Sequence, residues 1–163
     1  MINIDIPYGF IASHTHLSWS EVKFGLDEQY IDPSVAIEVA VNRLCQTDDA
    51  SADEIHLAGL SEDDSVSDVV CSLASSEAAK DVDNRRKWLY LILARAYDLR
   101  ESINDPLALV EEIYSDFDYP EKITGFVRYM PMDGPDLGSK DKNEARLFEN
   151  WRAYLEKESS LFA

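Results

Sequence analysis

Apolar residues return at spacings of three and four along most of this chain, and most of the runs open on a residue suited to cap a helix. Ser18 is followed three residues later by Glu21, the spacing of a capping box. Leu17 before the cap and Val22 inside the helix are placed for a hydrophobic staple. Trp19, Val22 and Leu26 then share one face as far as about Gln29. Asp32-Pro33 starts a second helix, because the Asp accepts free amide bonds and Pro loses nothing at the first helical position. Its residues Val35, Ile37, Val39, Val41 and Leu44 also alternate as a strand would. The Asp-Pro start and the small Ala36 and Ala40 favour helix.

Ser51 and Glu54 make a second capping box ahead of Ile55 and Ala58, and Gly59 limits that helix to about two turns. Ser65 and Asp68 repeat the signal ahead of Val66, Val69, Val70 and Leu73. Residues 84–100 form the expected central helix, with Trp88, Leu91, Ile92 and Leu99 on one face and Leu89, Leu93 and Ala96 on another. A helix apolar on two sides is covered on two sides. Asp105-Pro106 opens a further helix carrying Leu107, Val110, Ile113, Tyr114 and Phe117. Pro120 opens a short one with Ile123, Phe126 and Val127. Pro and Gly make residues 129–142 a loop, and a last helix runs from about Lys142 to Glu158 with Leu147, Phe148, Trp151 and Leu155 inward. Ile2, Ile4 and Ile6 alternate, so residues 2–11 are either one short N-terminal edge strand or an extended arm. The expected fold is all-α. It is one compact domain over residues 1–163, a helical bundle or array of six to eight helices.

Charge changes this picture. The 163 residues carry a formal net charge of -17, and residues 1–80 hold -12 of it. Between Arg43 and Lys80 there are nine carboxylates and no Lys or Arg. Such a field repels nucleic acid and anionic membranes and steers basic partners inward. The expected partner-binding residues are therefore Asp48, Asp49, Asp53, Glu54, Glu62, Asp63, Asp64 and Asp68. Asp116, Asp118 and Tyr119 join them from an acidic, aromatic segment, where rings give rigid contact area and acids select cations. Three Trp, eight Tyr and six Phe argue against disorder.

Catalytic chemistry finds little support. The calcium loop, the phosphate-binding glycine loop, the dinucleotide fingerprint, the zinc helix and the serine elbow are all absent. His14 and His16 flank Thr15, but they lack a convincing third and fourth ligand, so no metal and no cofactor are expected. His56 reads as a surface histidine. Cys45 and Cys71 lie in apolar-periodic segments and read as buried free thiols. Arg85, Arg86 and Lys87 crowd the start of the central helix, where the backbone is already positive. Asp81, Asp83 and the acidic first half are the expected counter-charge. With neither a signal-like opening nor a membrane-length apolar run, the expected location is the cytoplasm.

Five segments carry a family resemblance: LSWSEVKFGL at 17–26, KWLYLILA at 87–94, DPLALVEEIYSDFDYPEKI at 105–123, VRYMP at 127–131 and LFENWRAYLE at 147–156. They resemble a bacterial family of small uncharacterised cytoplasmic proteins. Such families in turn resemble the immunity proteins of polymorphic toxin systems, including contact-dependent growth inhibition. The resemblance implies a cytoplasmic binder that occludes a cognate toxin domain, in many cases a basic nuclease, and it brings no catalytic residue with it. The expected partner is that basic toxin domain, not nucleic acid or membrane, and the free protein is a monomer or weak dimer. Two other functions stay open: a small hydrolase or metabolic enzyme, and an adaptor for a protein other than a toxin.

Overall fold

The computed structural model describes residues 2–77, 84–132 and 134–162, whose regular elements are all helices, with no strand among them. Eight α-helices and one 3-10 helix are present among the described residues, slightly more than the six to eight expected. The chain groups into two compact units, Asp5–Asn84 and Arg85–Ala163 with Met1–Ile4.

The first unit holds α1 (Tyr8–His14), α2 (Trp19–Asp27), α3 (Pro33–Gln46), α4 (Ala52–Ala58) and α5 (Ser67–Ser76). α3 packs on α1 and α4, and α5 packs on α2 and α4. Both capping boxes form: the Ser18 and Ser51 hydroxyls accept from the backbone N–H of Glu21 and Glu54, whose carboxylates accept in return. Asp32 caps α3 through the Ser34 amide. The Ser65 cap does not form. Val66 occupies the N-cap of α5 with no side-chain bond, and Ser61 and Asp64 instead close a turn upstream. Nor is there an N-terminal edge strand. Residues 2–7 have no regular structure, and the chain turns helical at Tyr8 because Pro7 fits a helix boundary and Gly9 tolerates the first turn.

The second unit holds α6 (Asn84–Asp98, its first residue on the boundary), α7 (Pro106–Asp116), the 3-10 helix Glu121–Phe126 and α8 (Lys140–Phe162). In α6 Trp88 to Ala94 and Ala96 are all buried, so this helix is covered on every side, as its double apolar face demands. Leu99 lies past its last turn and is only half-buried. α8 runs antiparallel to α6. Its Trp151 indole donates to the Leu93 carbonyl (3.2 Å) and its Glu158 meets Arg86. α8 extends four residues beyond the expected end, and its buried line is Trp151, Tyr154 and Glu158. Leu147, Phe148 and Leu155, expected inward, are half-buried.

Cys45 and Cys71 are exposed free thiols, contrary to the buried placement expected. The inward sides of their helices are taken by Val35, Ala36 and Ala40 and by Val70 and Leu73.

Candidate functional site

The acidic segment of the first unit is built from short helices whose connections are held by their own side chains. Past the end of α3, the Asp49 amide donates to the Thr47 hydroxyl (3.1 Å), which fixes Asp48 and Asp49 outward in solvent. Further on, the Asp64 carboxylate accepts from the Ser61 amide (2.9 Å) and hydroxyl (3.1 Å). The amide bond first, then the hydroxyl bond, lower its pKa, so the turn that carries Glu62 and Asp63 at its tip is locked while Asp64 is ionised. Asp68 is exposed in the first turn of α5, where the helix dipole favours negative charge. Asp53, half-buried, accepts from the Ser72 hydroxyl (2.9 Å).

Glu54 stands apart from the other seven carboxylates. It is 5 % exposed. Its carboxylate accepts from the Ser51 amide (3.0 Å), the Trp19 indole (3.2 Å) and Arg43 Nε (2.7 Å). One side chain thus ties α2, α3 and α4 together. Glu77 has a comparable role: it accepts from the Trp19 and Ser20 amides and caps the start of α2. Sequence spacing gave the Ser51–Glu54 box, but the Arg43 and Trp19 bonds are tertiary and had no sequence signal.

Glu54 has a consequence for pH. Burial raises its pKa, but the Ser51 amide bond, the Trp19 indole and the Arg43 charge together outweigh burial and lower it. A carboxylate with a lowered folded-state pKa contributes stability that is full above its unfolded pKa, near 4.5, and is lost as pH falls through the folded value. Glu54→Gln should therefore cost about 1–3 kcal/mol at neutral pH and flatten the loss of stability below about pH 4.5. Urea unfolding across that range checks it. A variant that parallels the parent at every pH would show that Glu54 is not ionised in these bonds.

Outward-facing apolar residues accompany the acids. Ile55 is 56 % exposed and Val41 44 %, whereas Leu57 provides the buried contact of α4. His56 is exposed, as expected.

The second unit places the other three expected residues at the end of α7. Asp116, Asp118 and Tyr119 are exposed there, while Tyr114 and Phe117 turn inward. Glu111 is engaged by Arg128 Nε (3.0 Å), whose other nitrogens lie 3.3–3.4 Å from Asp105. Tyr119 and Tyr129 both pack on Tyr114, with ring centroids 5.2 and 6.0 Å away, and both are more than half exposed. Tyr129 was not singled out by sequence reasoning. The segment Val127–Pro131 that carries it was visible only as part of the resemblance. A cleft of about 490 Å³ lies alongside, lined by Val127, Met130, Met132, Lys140, Arg146 and Asn150 among others.

Two of the three cations at the start of α6 meet residues of α8. Arg86 forms a two-pronged pair with Glu158 (2.9 and 3.0 Å), and Arg86 and Lys87 lie over the Phe162 ring at 6.0 and 5.7 Å. Arg85 lies over Phe117 at 6.0 Å. Asp81 and Asp83, expected as counter-charges, fall outside the described residues.

Metal chemistry gains no geometry here. His14 Nδ1 lies 2.8 Å from the Phe10 carbonyl and 2.9 Å from the Ser13 hydroxyl. Among the described residues no three His, Cys, Asp or Glu side chains gather as ligands. No helix among them is long and apolar enough to cross a membrane.

No curated protein and no solved structure matches the chain. Residues 8–159 match a bacterial family, a span that takes in all five resembling segments. The chain belongs to the family described as uncharacterized protein conserved in bacteria (DUF2247).

Proposed function

We propose that this chain is an immunity-type protein that binds and neutralises a basic toxin domain, in keeping with a nuclease, by covering its active site. The observation that carries the reading is the state of the acidic segment. Asp48, Asp49, Glu62, Asp63, Asp64 and Asp68 are all exposed, and none is ion-paired with a described residue. Like charges concentrated in one segment repel one another and lower fold stability. A basic surface laid over them relieves that repulsion. The carboxylates would pair with the cations a nuclease uses to hold its phosphate backbone, while Ile55 and Val41 exclude water between them. Buried Glu54 supports the surface from beneath, and Asp53 is positioned at its edge by Ser72.

The test is coexpression. A secreted protein encoded beside this chain and ending in a small basic domain is the expected toxin. Expression of that domain alone should arrest growth, and this chain should restore it. Growth arrest that persists with the chain present, or a gene surrounded only by metabolic enzymes, would contradict the reading.

A further inference from the structure

We propose that Asp118 and Tyr119, with Tyr129 beside them, form a receptor for an arginine side chain on a basic partner protein. The proposal rests on the reading of the chain as a binder of basic proteins, and adds a second surface and the side chain it takes.

The receptor is made by the way α7 ends. The Asp118 amide donates to the Ser115 carbonyl (3.1 Å) and the Tyr119 amide to the Tyr114 carbonyl (2.8 Å), the paired bonds of a Schellman motif. The left-handed position of that motif is ordinarily glycine. Here it is Asp118, at φ 62°, and Tyr119 follows at φ 58°. Asp tolerates this conformation, but an aromatic residue does so at a cost. α2 ends with the same two bonds around Gln29 (φ 63°), and its next residue does not go left-handed. Helix termination therefore requires neither an Asp at 118 nor a second left-handed residue at 119.

What the turn achieves is placement. Tyr119 stands edge-on to buried Tyr114, at 82°, and remains 56 % exposed. Tyr129 leans on the same ring and is 58 % exposed. Burial first, then Tyr114, Tyr119 and Glu111, raise the pKa of the Tyr129 phenol. Glu111 is occupied by Arg128, while Asp118 is exposed and unpaired among the described residues. Two exposed rings on one buried tyrosine, with an unpaired carboxylate on the residue next to one of them, suit a planar cation that stacks and donates at once, which is the chemistry of a guanidinium. The chain uses that pairing internally, where Arg100 lies 4.0 Å from the centre of the Tyr97 ring.

The probe is the peptide acetyl-Gly-Arg-Gly-Arg-Gly-amide, titrated into the full chain and followed by NMR of the tyrosine rings, with the citrulline peptide as control. The arginine peptide should give saturable shifts at Tyr119 and Tyr129, and citrulline should give none. Asp118→Asn and Tyr119→Ala should each weaken binding about threefold, the range of an exposed cation–ring contact. Asp118→Gly should weaken it equally while leaving Tm unchanged or higher, which a purely structural turn residue would not do. The double variant Asp63→Lys, Asp64→Lys should leave the Tyr119 shifts intact. Equal shifts with citrulline, or unchanged binding by Asp118→Asn, would overturn the receptor. Shifts that vanish only in the 63/64 variant would also overturn it, while leaving the acidic surface of the first unit standing.

Discussion

Trp151→Ala should destabilise the protein by about 3–5 kcal/mol, the range for emptying a fully buried tryptophan site. Trp151 is completely buried and sits at the centre of an aromatic cluster. Phe126 stacks on it at 6.0 Å, Phe148 at 5.9 Å, and Tyr97 meets it edge-on at 5.2 Å. Its indole also donates to the Leu93 carbonyl inside α6. Alanine removes the ring around which α6, α8 and the 3-10 helix are organised, and rigid rings on three sides cannot collapse into the space. Net stability of a domain is about 5–15 kcal/mol, so a loss of this size should be visible as a large fall in the denaturation midpoint. A loss below about 1.5 kcal/mol would mean that the cluster repacks, which rings fixed as described would not allow.

Glu158→Ala should cost about 3–4 kcal/mol, at the lower end of the range for breaking a buried ion pair because the Arg86 side chain is one-third exposed. Glu158 itself is 1 % exposed and accepts both prongs of the Arg86 guanidinium. Burial first, then the Glu158 charge, push the neighbouring Tyr154 phenol well above its ordinary range, so that hydroxyl stays protonated. Removing the carboxylate takes away both acceptors of the two-pronged Arg86 pair beneath α8. Removing both partners should be far milder. Glu158→Leu with Arg86→Met should recover most of the loss, since the pair is desolvated at a cost nearly equal to its attraction. If the single variant loses less than about 1 kcal/mol in urea unfolding, Arg86 reaches water freely and the pair holds little.

The helical plan was legible because capping chemistry is local. Ser18, Asp32, Ser51 and Asp105 all cap where their spacing placed them. Ser65 failed because Ser61 and Asp64 offered the chain a competing turn four residues earlier. The face of α8 was misjudged for a different reason. A periodicity argument assigns leucines inward and glutamate outward, and Glu158 is buried only because Arg86, 72 residues away in sequence, is there to meet it. Glu54 repeats the lesson. It was legible as a capping residue and as one more surface acid, but its bonds to Trp19 and Arg43 arise only from folding. The exposed carboxylates at 48, 49, 62, 63, 64 and 68 were legible because short elements tied by acidic turns have little inside in which to hide charge. The tyrosine pair at 119 and 129 was half legible, since no local pattern announces that two residues ten apart lean on one buried ring.

The central claim is that the acidic segment of the first unit meets a basic partner. Stopped-flow association of the coexpressed toxin domain with the parent chain and with the Asp63→Lys, Asp64→Lys variant tests it most directly, across a series of salt concentrations. The exposed carboxylates should act mainly on the approach, so added salt should slow association of the parent more than it speeds dissociation. The variant should associate more slowly at low salt and lose most of that salt dependence. Equal association rates and equal salt dependence for the two proteins would contradict the account, and would leave these carboxylates as solvated surface.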